Sequence, residues 1–87
     1  MAPISKQVTV KNQQGLHARP AALFVQVANK FDATITVKKG RQKVNGKSIM
    51  GILMLAAGQG SEILIEADGE DAQQAIAELE RIVNKDE

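Results

Sequence analysis

The chain contains one histidine, His17, within Gly15-Leu16-His17-Ala18-Arg19-Pro20-Ala21-Ala22. The apolar run Ala21-Ala22-Leu23-Phe24-Val25 that follows reads as the body of a helix, so His17 falls where a helix begins. Such an end carries free amides and the positive pole of the helix dipole, both of which attract anions. Arg19 adds a permanent charge and a two-donor fork that matches phosphate oxygens. A neutral imidazole placed there would be a nucleophile. The same groups, the Ala18 and Arg19 region in particular, would stabilise a phosphoryl group once attached. Gly15 would let the loop approach a partner closely. Residue types alone leave a second reading open, in which His17 is an exposed loop histidine without chemistry.

Other chemistries lack material. There is no Cys, so disulfides and thiolate metal sites are excluded, and a single His makes a zinc site improbable. No Ser-His-Asp arrangement can be traced. A small carrier that borrows catalytic power from its partners needs only one nucleophile and a docking surface, which suits this chain better than an autonomous hydrolase.

A second candidate is Ser48, just before Ile49-Met50-Gly51-Ile52-Leu53-Met54-Leu55. Its simplest role is the N-cap of a short helix. A phosphate at Ser48 would sit on the positive end of that helix and act on partners through charge and bulk. The helix is apolar nearly all round. One side must meet a sheet, leaving Ile49, Met50 and Leu53 either as further core or as an exposed docking patch. Lys38, Lys39, Arg41, Lys43 and Lys47 cluster farther back. No aromatic residue interleaves with them and the net charge is only +1. A solvated hairpin that discourages edge pairing is the preferred reading over a nucleic-acid surface.

The elements that must position these residues follow from periodicity. Ile4 to Val10 reads as a strand with Ile4, Val8 and Val10 on one face and Lys6 and Thr9 among the others. Lys11 to Gly15 is a loop. Helical spacing of Ala21, Phe24, Ala28 and Phe31 defines a buried stripe on a helix over about Ala18–Asn29, leaving Ala22, Gln26 and Asn29 exposed. Ala33, Ile35 and Val37 alternate in a second strand. Lys39-Gly40-Arg41 turns into a third over Gln42–Val44. The short helix runs from Ile49 to about Ala56, and Ser61–Ala67 is a fourth strand. Asp68 can cap a last helix with an acidic first turn, periodic in Ala72, Ala75 or Ile76, Leu79, and Ile82 or Val83. Arg81 and Lys85 stand near its negative end, and Asp86-Glu87 is expected to fray. The order β-α-β-β-α-β-α implies an α+β fold: an antiparallel sheet with helices on one face.

The 87 residues are read as one domain spanning 1–87. Apolar residues make up 44% and charged residues 24%, which argues against disorder. Two Phe and no Trp or Tyr leave almost nothing to stack on bases or sugar rings. No signal-like segment or run of roughly 18 apolar residues is present, so a soluble, cytoplasmic chain without membrane insertion is expected.

Two motifs together carry a resemblance. Gly15-Leu16-His17-Ala18-Arg19-Pro20-Ala21 resembles the active-site signature of HPr, the histidine-containing phosphocarrier family of the bacterial phosphotransferase system. Lys47-Ser48-Ile49-Met50-Gly51 resembles its regulatory-serine segment. The likeness extends over essentially the whole chain, including the Asp68-Gly69 entry to the last helix. It implies an open-faced β-sandwich with strand order 1-4-2-3 and three helices on one side. It further implies that His17 accepts a phosphoryl group on Nδ1 from phosphorylated enzyme I and passes it to a histidine on an A domain of a sugar permease or regulatory relative. Arg19 would neutralise the phosphoryl charge. Ser48 would match the serine modified by HPr kinase/phosphorylase in hosts that have one. Docking would fall to Ala22, Gln26, Ile49, Met50 and Leu53, on a monomer needing no cofactor or metal. The presence of His17 disfavours the paralogue that lacks this histidine and serves only in repression. The alternative is a regulatory interaction module of the same system with no role in sugar uptake. Gln13-Gln14 and Leu55-Ala56-Ala57-Gly58 look closer to carriers from proteobacteria than to those of firmicutes.

Overall fold

Four short segments alternate apolar and polar residues, which forces a sheet with one covered face and one wet face. In the computed structural model, which describes residues 2–85, they are β1 (Ile4–Thr9), β2 (Thr34–Lys39), β3 (Gln42–Asn45) and β4 (Glu62–Asp68). Three helices complete the chain: α1 (Ala18–Ala28), α2 (Ile49–Met54) and α3 (Ala72–Val83). The element order is therefore β-α-β-β-α-β-α, and the antiparallel sheet runs β1-β4-β2-β3. This is the open-faced sandwich expected from the sequence.

Register explains the core. Val8 stands opposite Ile63, Ile35 opposite Ala67 and Val37 opposite Ile65, and all six side chains are buried. Helix α1 adds Ala21, Phe24 and Ala28, and α3 adds Ala75, Leu79 and Val83. Full burial of side chains such as Phe24, Ile65 and Leu79 contributes about 1.5–3 kcal/mol each. The reverse face carries Gln7, Leu64, Lys38 and Lys43 in one cross-strand row and Ser5, Glu66, Thr36 and Asn45 in the next.

Several sequence expectations need correction. Lys6 shares the helix-side face with Ile4 and Val8, because residues two apart on a strand point the same way. Its ammonium reaches out to Glu80 of α3 at 3.0 Å. Ile4 is 37% exposed rather than core, since it is the first residue of an edge strand with a neighbour on one side only. Helix α2 stops at Met54, not near Ala56, because Ala56 turns into the left-handed region at φ +49°. The last helix begins at Ala72, so Asp68 does not cap it. Asp71 occupies the cap position, but its carboxylate accepts from the amides of Asp32 (2.8 Å) and Ala33 (2.9 Å) instead of from its own helix. The expectation for Asp86-Glu87 lies outside the described residues.

The basic hairpin is not simply solvated. Lys39 and Gln42 face each other on the helix side of β2 and β3. Lys39 Nζ donates to the carbonyls of Leu55 (3.1 Å) and Ala56 (3.4 Å), and Gln42 donates to that of Met54 (3.1 Å). Lys47 Nζ donates to the Phe31 carbonyl at 2.7 Å. Lys39 is thus committed to the otherwise unpaired carbonyls at the end of α2, where a cation also suits the helix dipole.

Candidate functional site

His17 is the N-cap residue of α1, with extended backbone angles of φ −85° and ψ −167°. Its carbonyl takes the first helical bond, from Ala21 at 2.9 Å. Its imidazole makes no capping bond, unlike the side chains that usually occupy this position. The ring is half-buried. Of the first-turn amides, Pro20 has none and Ala21 donates to His17, so Ala18 and Arg19 keep theirs outside the helical ladder. Both residues are exposed. A proline at this place costs the helix no bond and leaves two free donors beside the histidine.

The loop that presents His17 is fastened to its surroundings. Asn12 folds it back, its side-chain oxygen accepting from Gln14 N (2.8 Å) and its carbonyl from Gly15 N (2.9 Å). Leu16 N donates to the Ala57 carbonyl at 2.8 Å, just beyond α2, and the Leu16 side chain is buried. Gly15 adopts φ +73°, and a Cβ there would lie 2.4 Å from the Ala57 oxygen and 2.7 Å from Gly58 Cα. The role expected of Gly15 is therefore corrected: its close approach is to the chain's own backbone, not to a partner.

His17, Ala18, Arg19 and Pro20 line one side of an open groove of about 600 Å³. Asn12, Gln13 and Gln14 line another side, and Leu23, Ile82 and Lys85 complete it. The groove therefore carries two cations, Arg19 from the first turn of α1 and Lys85 from just beyond the end of α3. Sequence reading placed Lys85 only at the negative end of α3, because periodicity within α3 says nothing about which loop its end will meet. Leu23 was also missed. Its signal was available: it is apolar yet falls off the Ala21–Phe24–Ala28 stripe, and it is 41% exposed.

Ser48 is the N-cap of α2, and its Oγ accepts from Gly51 N at 3.1 Å. The capping role expected of it is present. The candidate docking residues Ala22, Gln26, Ile49, Met50 and Leu53 are all exposed. Only Ile52 of α2 is buried within the helix, while Met50 and Met54 are 64% and 63% exposed. The short helix is therefore mostly surface, and Met54 joins the patch. Helices α1 and α2 pack on each other, which puts Ala22 and Gln26 on the neighbour of the helix that carries the methionines.

Comparison with known proteins agrees with this geometry. Residues 4–85 match the family model described as PTS HPr component phosphorylation site. The chain is 49% identical over 83 residues to the HPr-like protein Crh of Halalkalibacterium halodurans, covering 95% of this chain and 99% of that protein. The crystal structure of the phosphocarrier protein HPr from Bacillus anthracis superposes with a TM-score of 0.92 at 50% identity, covering 97% of this chain and 100% of that one. A crystal structure of the Bacillus subtilis catabolite repression protein Crh, described as a swapped dimer, gives a TM-score of 0.77 at 46% identity over 93% of both chains. A monomer is thus not a rule for relatives with this fold, contrary to the simple expectation above. The expected leaning toward proteobacterial carriers finds no echo in these bacillar relatives. With both motifs in place, a matching fold and a family model spanning nearly the whole sequence, the chain belongs to the HPr family of the phosphotransferase system.

Proposed function

We propose that this protein is a phosphocarrier that takes a phosphoryl group from phosphorylated enzyme I onto His17 and delivers it to a histidine on an A domain of a sugar permease or regulatory relative. The observation that carries this reading is the uncommitted imidazole of His17 at the start of α1, beside two amides that the helix does not use. Nδ1 attacks phosphorus with its lone pair while Nε2 keeps the ring proton. The bond between phosphorus and the donor's imidazole breaks as the new P–N bond forms, and the donor ring recovers its lone pair. The amides of Ala18 and Arg19 and the Arg19 guanidinium receive the phosphoryl oxygens. No residue of this chain needs to act as general base, since an unprotonated nitrogen is the nucleophile. Delivery to the acceptor is the same exchange in reverse, so the chain is a carrier without independent turnover.

The exposed apolar surface of α2, with Ala22 and Gln26 of α1, serves as the shared docking face for donor and acceptors. Ser48 lies at the entry to that face, and its phosphorylation by an HPr kinase/phosphorylase would set a double negative charge beside Ile49 and Met50 and slow docking. The chain acts in the cytoplasm, as one domain. Incubation with phosphoenolpyruvate and enzyme I tests the reading: label appears on the wild-type chain and is absent from His17→Ala. Label that survives His17→Ala would overturn it.

A second reading has one observation in its favour, the 49% identity to a protein named HPr-like Crh. In it the chain is a regulatory interaction module outside sugar uptake, and the apolar face of α2 is its main working part. The two readings part on whether an A domain discharges the labelled chain.

A further inference from the structure

We infer that Lys39, whose ammonium sits at the exit of α2, is a positioning residue for His17. The inference rests on the phosphocarrier reading. Lys39 follows Ile35 and Val37 on the helix-side row of β2, so its side chain runs beneath the helices rather than into solvent. Its ammonium holds two successive carbonyls at the exit of α2, Leu55 at 3.1 Å and Ala56 at 3.4 Å. Between those carbonyls the chain makes an unfavourable turn. Ala56, at φ +49°, is the one non-glycine residue with positive φ among those described. Such a turn persists only where its surroundings hold it, and the ammonium is the charged group that does so.

The residue after this turn is Ala57, whose carbonyl accepts from Leu16 N at 2.8 Å and presses against Gly15. Leu16 is the immediate neighbour of His17. One line of contacts therefore runs from the Lys39 ammonium through the Ala56 turn and the Ala57 carbonyl to the loop that aims the imidazole. Gln42 supports the same helix end one residue earlier, at the Met54 carbonyl, without touching the turn itself. Losing Lys39 frees the turn to relax toward ordinary helical or extended angles. The Ala57 carbonyl then rotates, and the His17 loop loses its outer anchor.

Three quantities test this on the full-length chain. Lys39→Met keeps the apolar stem and removes the charge. It is expected to lower hydrogen-exchange protection of the Leu16 amide about tenfold, the equilibrium equivalent of one charge-assisted bond. It is expected to shift the His17 ring resonances. It is also expected to slow phosphoryl transfer from enzyme I by a similar factor in kcat, with KM little changed because the α2 docking face is intact. Lys39→Arg, which restores a cation able to reach carbonyls, recovers all three. If Lys39→Met does not fold, Lys39→Gln, which is too short to span both carbonyls, is read in the same way. Unchanged Leu16 protection and His17 resonances in a folded variant would overturn the inference, as would a loss that Lys39→Arg does not repair. Failure of the wild-type chain to accept phosphate would sink the phosphocarrier reading instead, and the two spectroscopic measurements would still judge the Lys39 contact line.

Discussion

Replacing Gly15 by alanine puts the architecture of the His17 loop to a quantitative trial. The added methyl would stand 2.4 Å from the Ala57 oxygen and 2.7 Å from Gly58 Cα, and both are backbone atoms that no rotamer change can move aside. Holding alanine at φ +73° costs about 1 kcal/mol before any contact is counted. Relief requires the two strands of backbone to separate, which breaks the Leu16 N–Ala57 O bond of 2.8 Å. Leaving that amide without a partner beneath a buried leucine adds about 1–3 kcal/mol. The total is about 2–4 kcal/mol. An unfolding entropy of about 2.1 cal/mol/K per residue comes to about 0.18 kcal/mol/K for this chain, so the midpoint falls by roughly 11–22 °C. Two other alanine variants serve as controls. Gly40 at φ +59° has nothing within 4 Å of the position a methyl would take and isolates the backbone cost, about 1 kcal/mol. Gly58 also has open space and no positive φ, so Gly58→Ala stays within about 0.5 kcal/mol of wild type. Urea and thermal unfolding followed by circular dichroism give the three values, and phosphate uptake is measured well below the lowest midpoint. Gly15→Ala no more destabilising than Gly40→Ala, with normal uptake, would refute the claim that this close approach fixes the loop.

Other substitutions separate stability from partner binding. Ser48→Ala removes the bond to Gly51 N and is expected to destabilise by about 1 kcal/mol in urea unfolding, whereas Ser48→Asp retains a capping oxygen and most of that stability. Asp71→Ala strips the amides of Asp32 and Ala33 of their acceptor; water can replace it at the exposed Asp32 amide, so a loss of about 1–3 kcal/mol, from the Ala33 amide, is expected from denaturation curves. Met50→Glu, at a side chain 64% exposed, should leave the unfolding midpoint nearly unchanged, while calorimetric titration with enzyme I shows weakened binding.

The scaffold was legible in the sequence wherever a single period governed a segment. Ile35 and Val37, or Ala21, Phe24 and Ala28, announce their own faces, and register then follows from matching them. Lys6 shows the limit: its charge suggested the wet side, but strand parity puts it on the helix side, where only an edge position lets the ammonium escape to Glu80. Side chains that satisfy backbone groups far along the chain were invisible for the same reason. Lys39 bonds 16 and 17 residues away and Asp71 reaches back 39, and no local pattern encodes such partners. His17 and Ser48 were legible because their roles depend on the residues immediately following them, which define helix starts. Lys85 and Ile82 were not, because the groove beside His17 exists only once α3 has packed against α1.

The state of the His17 ring after exposure to phosphoenolpyruvate and enzyme I decides most directly whether this protein is a phosphocarrier. Nitrogen and phosphorus NMR of the charged chain should show one phosphoryl group per molecule, coupled to Nδ1 of His17, and its loss on addition of an A domain. A chain that remains uncharged, or that carries its phosphate on any other residue, would contradict that assignment.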